Sequence, residues 1–243
     1  MNYNRVFLSG TVSKVRRNAT LCSFVCTNHR TYITNNQSRT DECPVTVSCG
    51  ERLKSFTDTL KDGDKILIKG YLKRNMKDER KSLFLVAVEI SHYEGEVNSI
   101  TQVGHAAQGV QSKQITNGIL TNFCLASNRR TYKDADSDDY EEETIFLDYV
   151  AFNGTAEKVK RFIHKGSMFL VEGRLKHDAW EDKQTKEPRS KLTAVAEFVE
   201  LGPNPNKDKN SSNGKKGEIM VLADGTIEDT GSDNSVNEEE IPF

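Results

Sequence analysis

The sequence predicts an all-β fold with one short helix per domain, arranged as two tandem barrels followed by a disordered acidic tail. Three observations lead there: an internal repeat, a strand-rich element order common to both copies, and a change of composition near residue 203. VNSITQVG near residue 97 echoes YNRVFLSG at the N-terminus, FCLASNRRTY ending at Tyr132 echoes FVCTNHRTY ending at Tyr32, and GSMFLVEGRLK from Gly166 echoes GDKILIKGYLK from Gly63. The offsets grow from 94 through 100 to 103, as longer loops on one scaffold require, so the copies occupy residues 1–95 and 96–202.

Each copy reads as three strands, a helix and two strands. The strands are short runs rich in Val, Ile, Phe, Leu and Tyr, such as residues 144–152, and glycines punctuate them. In the second copy Ala156, Val159, Phe162 and Ile163 share one helical face, Thr155 is the expected cap, and the helix stops before Gly166. Leu53, Phe56 and Leu60 repeat the pattern ahead of Gly63. Five short strands with one helix between the third and fourth is the element order of an OB-fold, a barrel that closes its own edges; the pattern alone leaves other small barrels open. Beyond the last strand, GPNPNKDKNSSNGKKG lacks the apolar surface to offset ordering entropy, so residues 203–237 read as linker and acidic tail.

Length and composition agree with this division. A chain of 243 residues is long for one domain and short for two average ones. Hydrophobic residues are 35% and charged residues 29%, enough for a core but leaving part of the chain solvated. The net charge of -2 hides an asymmetry, because residues 218–243 hold eight acids and no base, leaving 28 of the 36 acids against 34 bases in the body, a net of +6. A basic body with an acidic tail fits a nucleic-acid binder with an interaction tail, and equally a tail that serves only solvation. The longest apolar run, residues 83–88, is far below the roughly 18 residues of a membrane span. MNYNRVFLSGTV does not read as a signal peptide, and the five cysteines form no disulfide framework, so we expect a cytoplasmic protein with reduced thiols.

Several kinds of chemistry fail on inspection. Gly104 and Gly109 have phosphate-loop spacing, but Val110 and Gln111 replace the required Lys and Ser/Thr. Asp134, Asp136 and Asp138 imitate a calcium loop until Asp139 and Ile145 stand where Gly and Glu are needed. Cys22 and Cys26 lie about 13 Å apart along a strand, too far to chelate as a pair, so the cysteines read as small buried hydrophobes. No catalytic, metal or cofactor site is expected.

A binding face is legible instead. Phe146, Asp148, Val150 and Phe152 share one strand face by parity, and Asp148 makes that face wet. Two aromatics on a wet face fit stacking platforms; Phe152, at the turn into the helix, fits core equally, and Phe146 fits packing under a loop. Arg174 and Lys176 point opposite to Leu175, Trp180 continues their side into the hairpin, and Tyr132 ends its strand beside Arg129 and Arg130. Asp148 would oppose phosphates on this face. Aligned on Gly50 and Gly70, the first copy has Glu42, Ser48 and Lys77 where the second has Phe146, Phe152 and Trp180; only Tyr32 persists, with Arg30 beside it. Its hairpin is basic, with Lys69, Lys73, Arg74, Lys77, Arg80 and Lys81, and its first loop adds Lys14, Arg16 and Arg17, which fits phosphate tracking or a solvated charged loop.

The second copy, through FCLAS, VAFNGTAEKV, KGSMFLVEGRLKHDAWEDKQT and RSKL, resembles the OB domain of bacterial and phage single-stranded DNA-binding proteins. The final EEEIPF resembles that family's acidic tip, and the first copy resembles it weakly. The resemblance implies that Tyr132, Phe146, Phe152 and Trp180 stack or pack against DNA bases. It also implies a homodimer supplying four OB domains, with Glu238, Glu239, Glu240, Ile241, Pro242 and Phe243 recruiting replication, recombination or repair proteins. An OB-fold RNA-binding or chaperone module, or a nonenzymatic adaptor of a replication or repair enzyme, remain alternatives; competition between DNA and RNA separates the first, and tight enzyme binding with weak DNA binding the second.

Overall fold

The computed structural model describes residues 3–34, 36–75, 82–132, 140–183, 185–203, 220–221 and 227–228. The all-β expectation holds, with two short helices. The first half runs β1 (Tyr3–Arg17), β2 (Cys22–Thr34), β3 (Gln37–Cys49), a 3-10 turn (Glu51–Leu53), α1 (Lys54–Thr57), β4 (Lys65–Arg74) and β5 (Leu83–His92). The second runs β6 (Asn98–Ala106), β7 (Gln111–Ile115), β8 (Gly118–Tyr132), β9 (Tyr140–Phe152), α2 (Asn153–Phe162), β10 (Met168–Glu181) and β11 (Pro188–Leu201). β7, which sequence reasoning did not include, hairpins onto β8. Residues Met1–Pro203 form one compact unit and Asn204–Phe243 a second, in which β12 (Met220–Val221) pairs antiparallel with β13 (Ile227–Glu228). The tip, residues 238–243, and most of the tail lie outside the described residues.

Both halves close a ring of five strands with the same pairing. β1 pairs with β2 and β4, β2 with β3, β4 with β5, and β3 with β5 in parallel. β6, β8, β9, β10 and β11 repeat that pattern, with β9 and β11 the parallel pair. Strand alternation fills each interior: Cys43, Val45, Val47 and Cys49 on β3, and Ile145, Leu147, Tyr149 and Ala151 on β9, are buried while the residues between them face outward. All five cysteines are buried, and burial pushes the thiols of Cys26, Cys43, Cys49 and Cys124 up to about 12.

The helices differ from expectation in detail. Phe152, extended at φ -124, is the N-cap of α2, and no side chain caps it; Thr155 lies inside the helix, where its hydroxyl donates to the Glu197 carbonyl. Ala156, Val159 and Ile163 are buried as expected, but Phe162 is 44% exposed. In the first half, α1 is only four residues long.

Glycine marks the corner of each ring. The β4–β5 and β10–β11 pairings each shift register at a bulge, before Gly70 and Gly173. A Cβ on Gly70 would lie 2.1 Å from the Val86 carbonyl oxygen, and one on Gly173 2.0 Å from that of Val195. At Gly173 only backbone atoms meet that Cβ, so Gly173→Ala should lower stability by about 1–3 kcal/mol, the range for forced backbone strain and overpacking. Urea unfolding reads the loss directly; a change under about 1 kcal/mol would mean that the bulge has room for a side chain.

Candidate nucleic-acid interface

The outward face of β9 extends across β11 and β10. Phe146 and Phe152 flank Asp148 and Val150 along the strand, and Trp180 stands on the β10–β11 hairpin opposite Arg189. All three rings are about half exposed, at 49%, 40% and 50%, so neither phenylalanine belongs to the core. Beneath them Tyr149 is fully buried, stacked on Phe123 at 5.4 Å, with its hydroxyl donating to Gln102 Oε1 at 2.9 Å.

Charge on this face is paired. Lys191, which sequence reasoning passed over, forms an ion pair with Asp148, so the mid-platform carboxylate is neutralised within the protein. Lys176 lies 2.6 Å from Asp178, and the Thr193 hydroxyl donates to Asp178 at 2.7 Å. Burial would raise the Asp178 pKa, but these bonds and the neighbouring positive charges outweigh it and hold the carboxyl below the usual carboxylate value. Arg174 pairs with Glu197 at 3.3 Å, while burial, then the nearby Arg30 charge, lower its pKa. Between these residues runs a groove lined by Gln108, Gln111, Asn122, Asp148, Asp178 and Thr193.

Other expected site residues are dispersed. Arg130 stacks on Tyr140 at 4.7 Å and pairs with Glu142 at 3.9 Å. Arg129 instead crosses to the first half, its guanidinium 3.2 Å from the Tyr71 ring centroid. The Tyr132 side chain, Lys77, Arg80, Lys81 and the acidic loop at 134–138 lie outside the described residues.

The first half has no equivalent aromatic row. Ser48 and Cys49 pair with Val86 and Ala87 as Val150 and Ala151 pair with Val195 and Ala196, which makes Pro44 and Gly50 the counterparts of Phe146 and Phe152. Glu42 and Ser48 are therefore two residues out of register; Gly50, the alignment point for β3, lies just beyond the end of that strand, where the connections into the two helices differ. Tyr32 is likewise one residue out of register, since the ladders make it the counterpart of Thr131 and make Ile33 the counterpart of Tyr132; it lies under the Arg30 guanidinium at 5.5 Å and donates to Asp41 at 3.3 Å. Several of its bases are engaged: Arg17 donates to the Thr57 and Leu60 carbonyls, Lys69 pairs with Glu89, and Glu143 of the second half lies 4.0 Å from Lys73 and accepts the Arg74 backbone N–H.

Lys191 had one legible signal: counted back across the β10–β11 hairpin it sits opposite Asp178. Its partner Asp148 lies on β9, across a parallel pairing between distant segments that local pattern does not reveal.

Residues 97–202 match the single-strand binding protein family. The chain is 38% identical over 96 residues to single-stranded DNA-binding protein 1 of Synechocystis, covering 39% of this chain and 74% of that one. It is 35% identical over 118 residues to the single-stranded DNA-binding protein of Helicobacter hepaticus, covering 48% and 68%. The crystal structure of the single-stranded DNA-binding protein from Thermus aquaticus superposes with a TM-score of 0.64 at 21% identity, covering 84% of this chain and 94% of that one, a likeness of fold.

The depressed Asp178 pKa sets a pH test. A carboxyl whose pKa falls on folding adds stability above its unfolded value, near 3.8, and that stability is lost as pH falls through the folded value. Asp178→Asn should therefore melt below the unmodified protein at pH 7, and the gap should close as pH falls well below 3.8. Calorimetry across that range checks it; a gap independent of pH would mean that the carboxylate charge is not what matters.

Proposed function

Because the chain belongs to the single-strand binding protein family, we propose that it binds and shields single-stranded DNA, largely without sequence preference, in replication, recombination or repair. The observation that carries this reading is the row of exposed rings, Phe146, Phe152 and Trp180, on one outward sheet face. Burying such rings against bases removes apolar surface from water, and each stacked base is worth roughly 1–3 kcal/mol whatever its identity, since every base has a π-face. Arg130, Arg174, Lys176 and Lys191 each hold an internal carboxylate that a phosphate would replace, so binding should weaken with salt. No covalent step and no cofactor is part of this reading.

The halves divide the work. Residues 96–202 stack bases, with Tyr132 completing the aromatic set, while residues 1–95 contact phosphates through Arg30, Lys73, Arg74 and Lys77 beside Tyr32. Residues 203–237 tether the tip, whose Ile241 and Phe243 fit an apolar pocket in a replication or repair protein while Glu238, Glu239 and Glu240 meet its basic rim. The protein works in the cytoplasm, at the nucleoid or in an infected cell. Two chains join as a homodimer to present four barrels; sedimentation at micromolar concentration should give the mass of two chains, and the mass of one would refute the dimer.

Two variants separate the DNA face from the tip. Trp180→Ala should weaken poly-dT binding by about 1–3 kcal/mol while still capturing replication and repair proteins from a lysate. Deleting residues 241–243 should abolish that capture while leaving poly-dT affinity intact. In the unmodified protein, Trp180 emission unchanged at saturating poly-dT would defeat the stacking reading.

A further inference from the structure

Four buried cysteines line the interior of the first half, and one pair of them is directly opposed. Cys22, the first residue of β2, and Cys49, the last of β3, are partners in the antiparallel ladder, at 5% and 0% exposure. Residues so opposed hold their Cα atoms about 4.5–5.5 Å apart, inside the roughly 4.4–6.8 Å that a disulfide spans. Cys26 and Cys43 face Val45 and Asn28 instead, and such a diagonal pair lies about 7–8 Å apart, too far to bridge without backbone movement. The matching ladder position of the second half holds Thr121 opposite Ala151, so the feature belongs to one half only. Cys22 is also within reach of solvent: with Arg17, Gly50 and Thr57 it lines a cleft of about 20 Å³, room for a molecule of water's size.

We propose that hydrogen peroxide joins Cys22 to Cys49 in a disulfide that staples the base of the β2–β3 hairpin. The cleft sets the order of events. It admits peroxide to Cys22 but no peptide-sized oxidant, while Cys49 is fully buried and outside the lining. Burial raises the Cys22 pKa, yet Arg17 and a hydrogen bond with Thr57 act to lower it, and Arg17 is fixed there by donating to the Thr57 and Leu60 carbonyls. Burial, then the neighbouring Cys22, push the Cys49 thiol up to about 12, so Cys49 reacts second. The Cys22 thiolate attacks one peroxide oxygen, the O–O bond breaks, and the departing hydroxide takes up the thiol proton as water. The Cys49 sulfur then displaces the sulfenic oxygen of Cys22: the S–S bond forms, the S–O bond breaks, and the Cys49 proton leaves with that oxygen as a second water. Each sulfur gives up one electron, and one peroxide is reduced to two waters.

The test treats the full chain with hydrogen peroxide, removes the excess with catalase, and unfolds the protein in urea with a maleimide that tags every remaining thiol. The intact mass should show three tagged cysteines in place of five, and dithiothreitol before tagging should restore all five. Cys22→Thr and Cys49→Ala place the second half's residues at these positions, which its barrel accommodates. Neither variant should lose a pair of thiols to peroxide, whereas Cys26→Ala and Cys43→Ala still should. Because the bond closes a loop whose ends lie 27 positions apart, the oxidised protein should also melt about 5–10 °C above the reduced one. Five tagged cysteines after peroxide, or a pair of thiols lost from Cys49→Ala, would overturn the staple and leave the single-stranded DNA reading untouched. So would an oxidised protein that melts no higher than the reduced one.

Discussion

Antiparallel pairing of β1 with β6 sets Val6 opposite Ile100, and these two fully buried residues are equivalents in the repeat, 94 positions apart. The pairs on either side, Asn4 with Gln102 and Leu8 with Asn98, exchange with one another under the same repeat, so the junction has local two-fold symmetry. Each ring would otherwise leave strand edge exposed to water and to other chains. Buried polar groups fix the register. Asn28 donates to the carbonyls of Ser9 and Val97, and its counterpart Ser127 donates to those of Val103 and Tyr3, the same two positions viewed from the other half. Asn4 and Asn98 likewise bracket the backbones of Leu72 and Leu175. A one-residue slip would strand these groups in the interior, at about 1–3 kcal/mol each.

The junction reaches the strand that carries the exposed rings through a short chain of contacts. Asn4 Oδ1 accepts from Gln102 at 3.2 Å, Gln102 accepts from the Tyr149 hydroxyl, and Tyr149 lies between Asp148 and Val150 on β9. The outward side chains are thus held on a strand whose inward neighbours are locked by packing and hydrogen bonds. The symmetry stops at the surface. Where Arg129 lies over Tyr71 on one side, the equivalent place on the other brings Arg174 near Arg30, so the two seams differ in charge while sharing a backbone.

Much of this was legible because the repeat and the period-two pattern are local. Parity put Phe146, Asp148, Val150 and Phe152 on one face, and the structure turns that face outward, with Ile145, Leu147, Tyr149 and Ala151 buried behind it. What escaped depends on which distant strands meet. The Asp148–Lys191 pair needs the parallel β9–β11 contact, and the correct counterparts of Phe146 and Phe152 in the first half follow from ladder register rather than from the nearest glycine. β7 escaped because QSKQI has almost no apolar content, being an outer strand with little to bury. Thr155 misled as a cap because Asn153, at φ 50, turns the chain into the helix two residues earlier.

Two copies of one scaffold have therefore kept the interior and the junction while their outward faces diverged, one carrying exposed aromatic rings and one charged side chains. Photocrosslinking to oligo-dT followed by peptide mapping tests that division most directly. Crosslinks should concentrate on the peptides holding Phe146, Phe152 and Trp180. Crosslinks confined to residues 1–95, or spread equally over both halves, would contradict it.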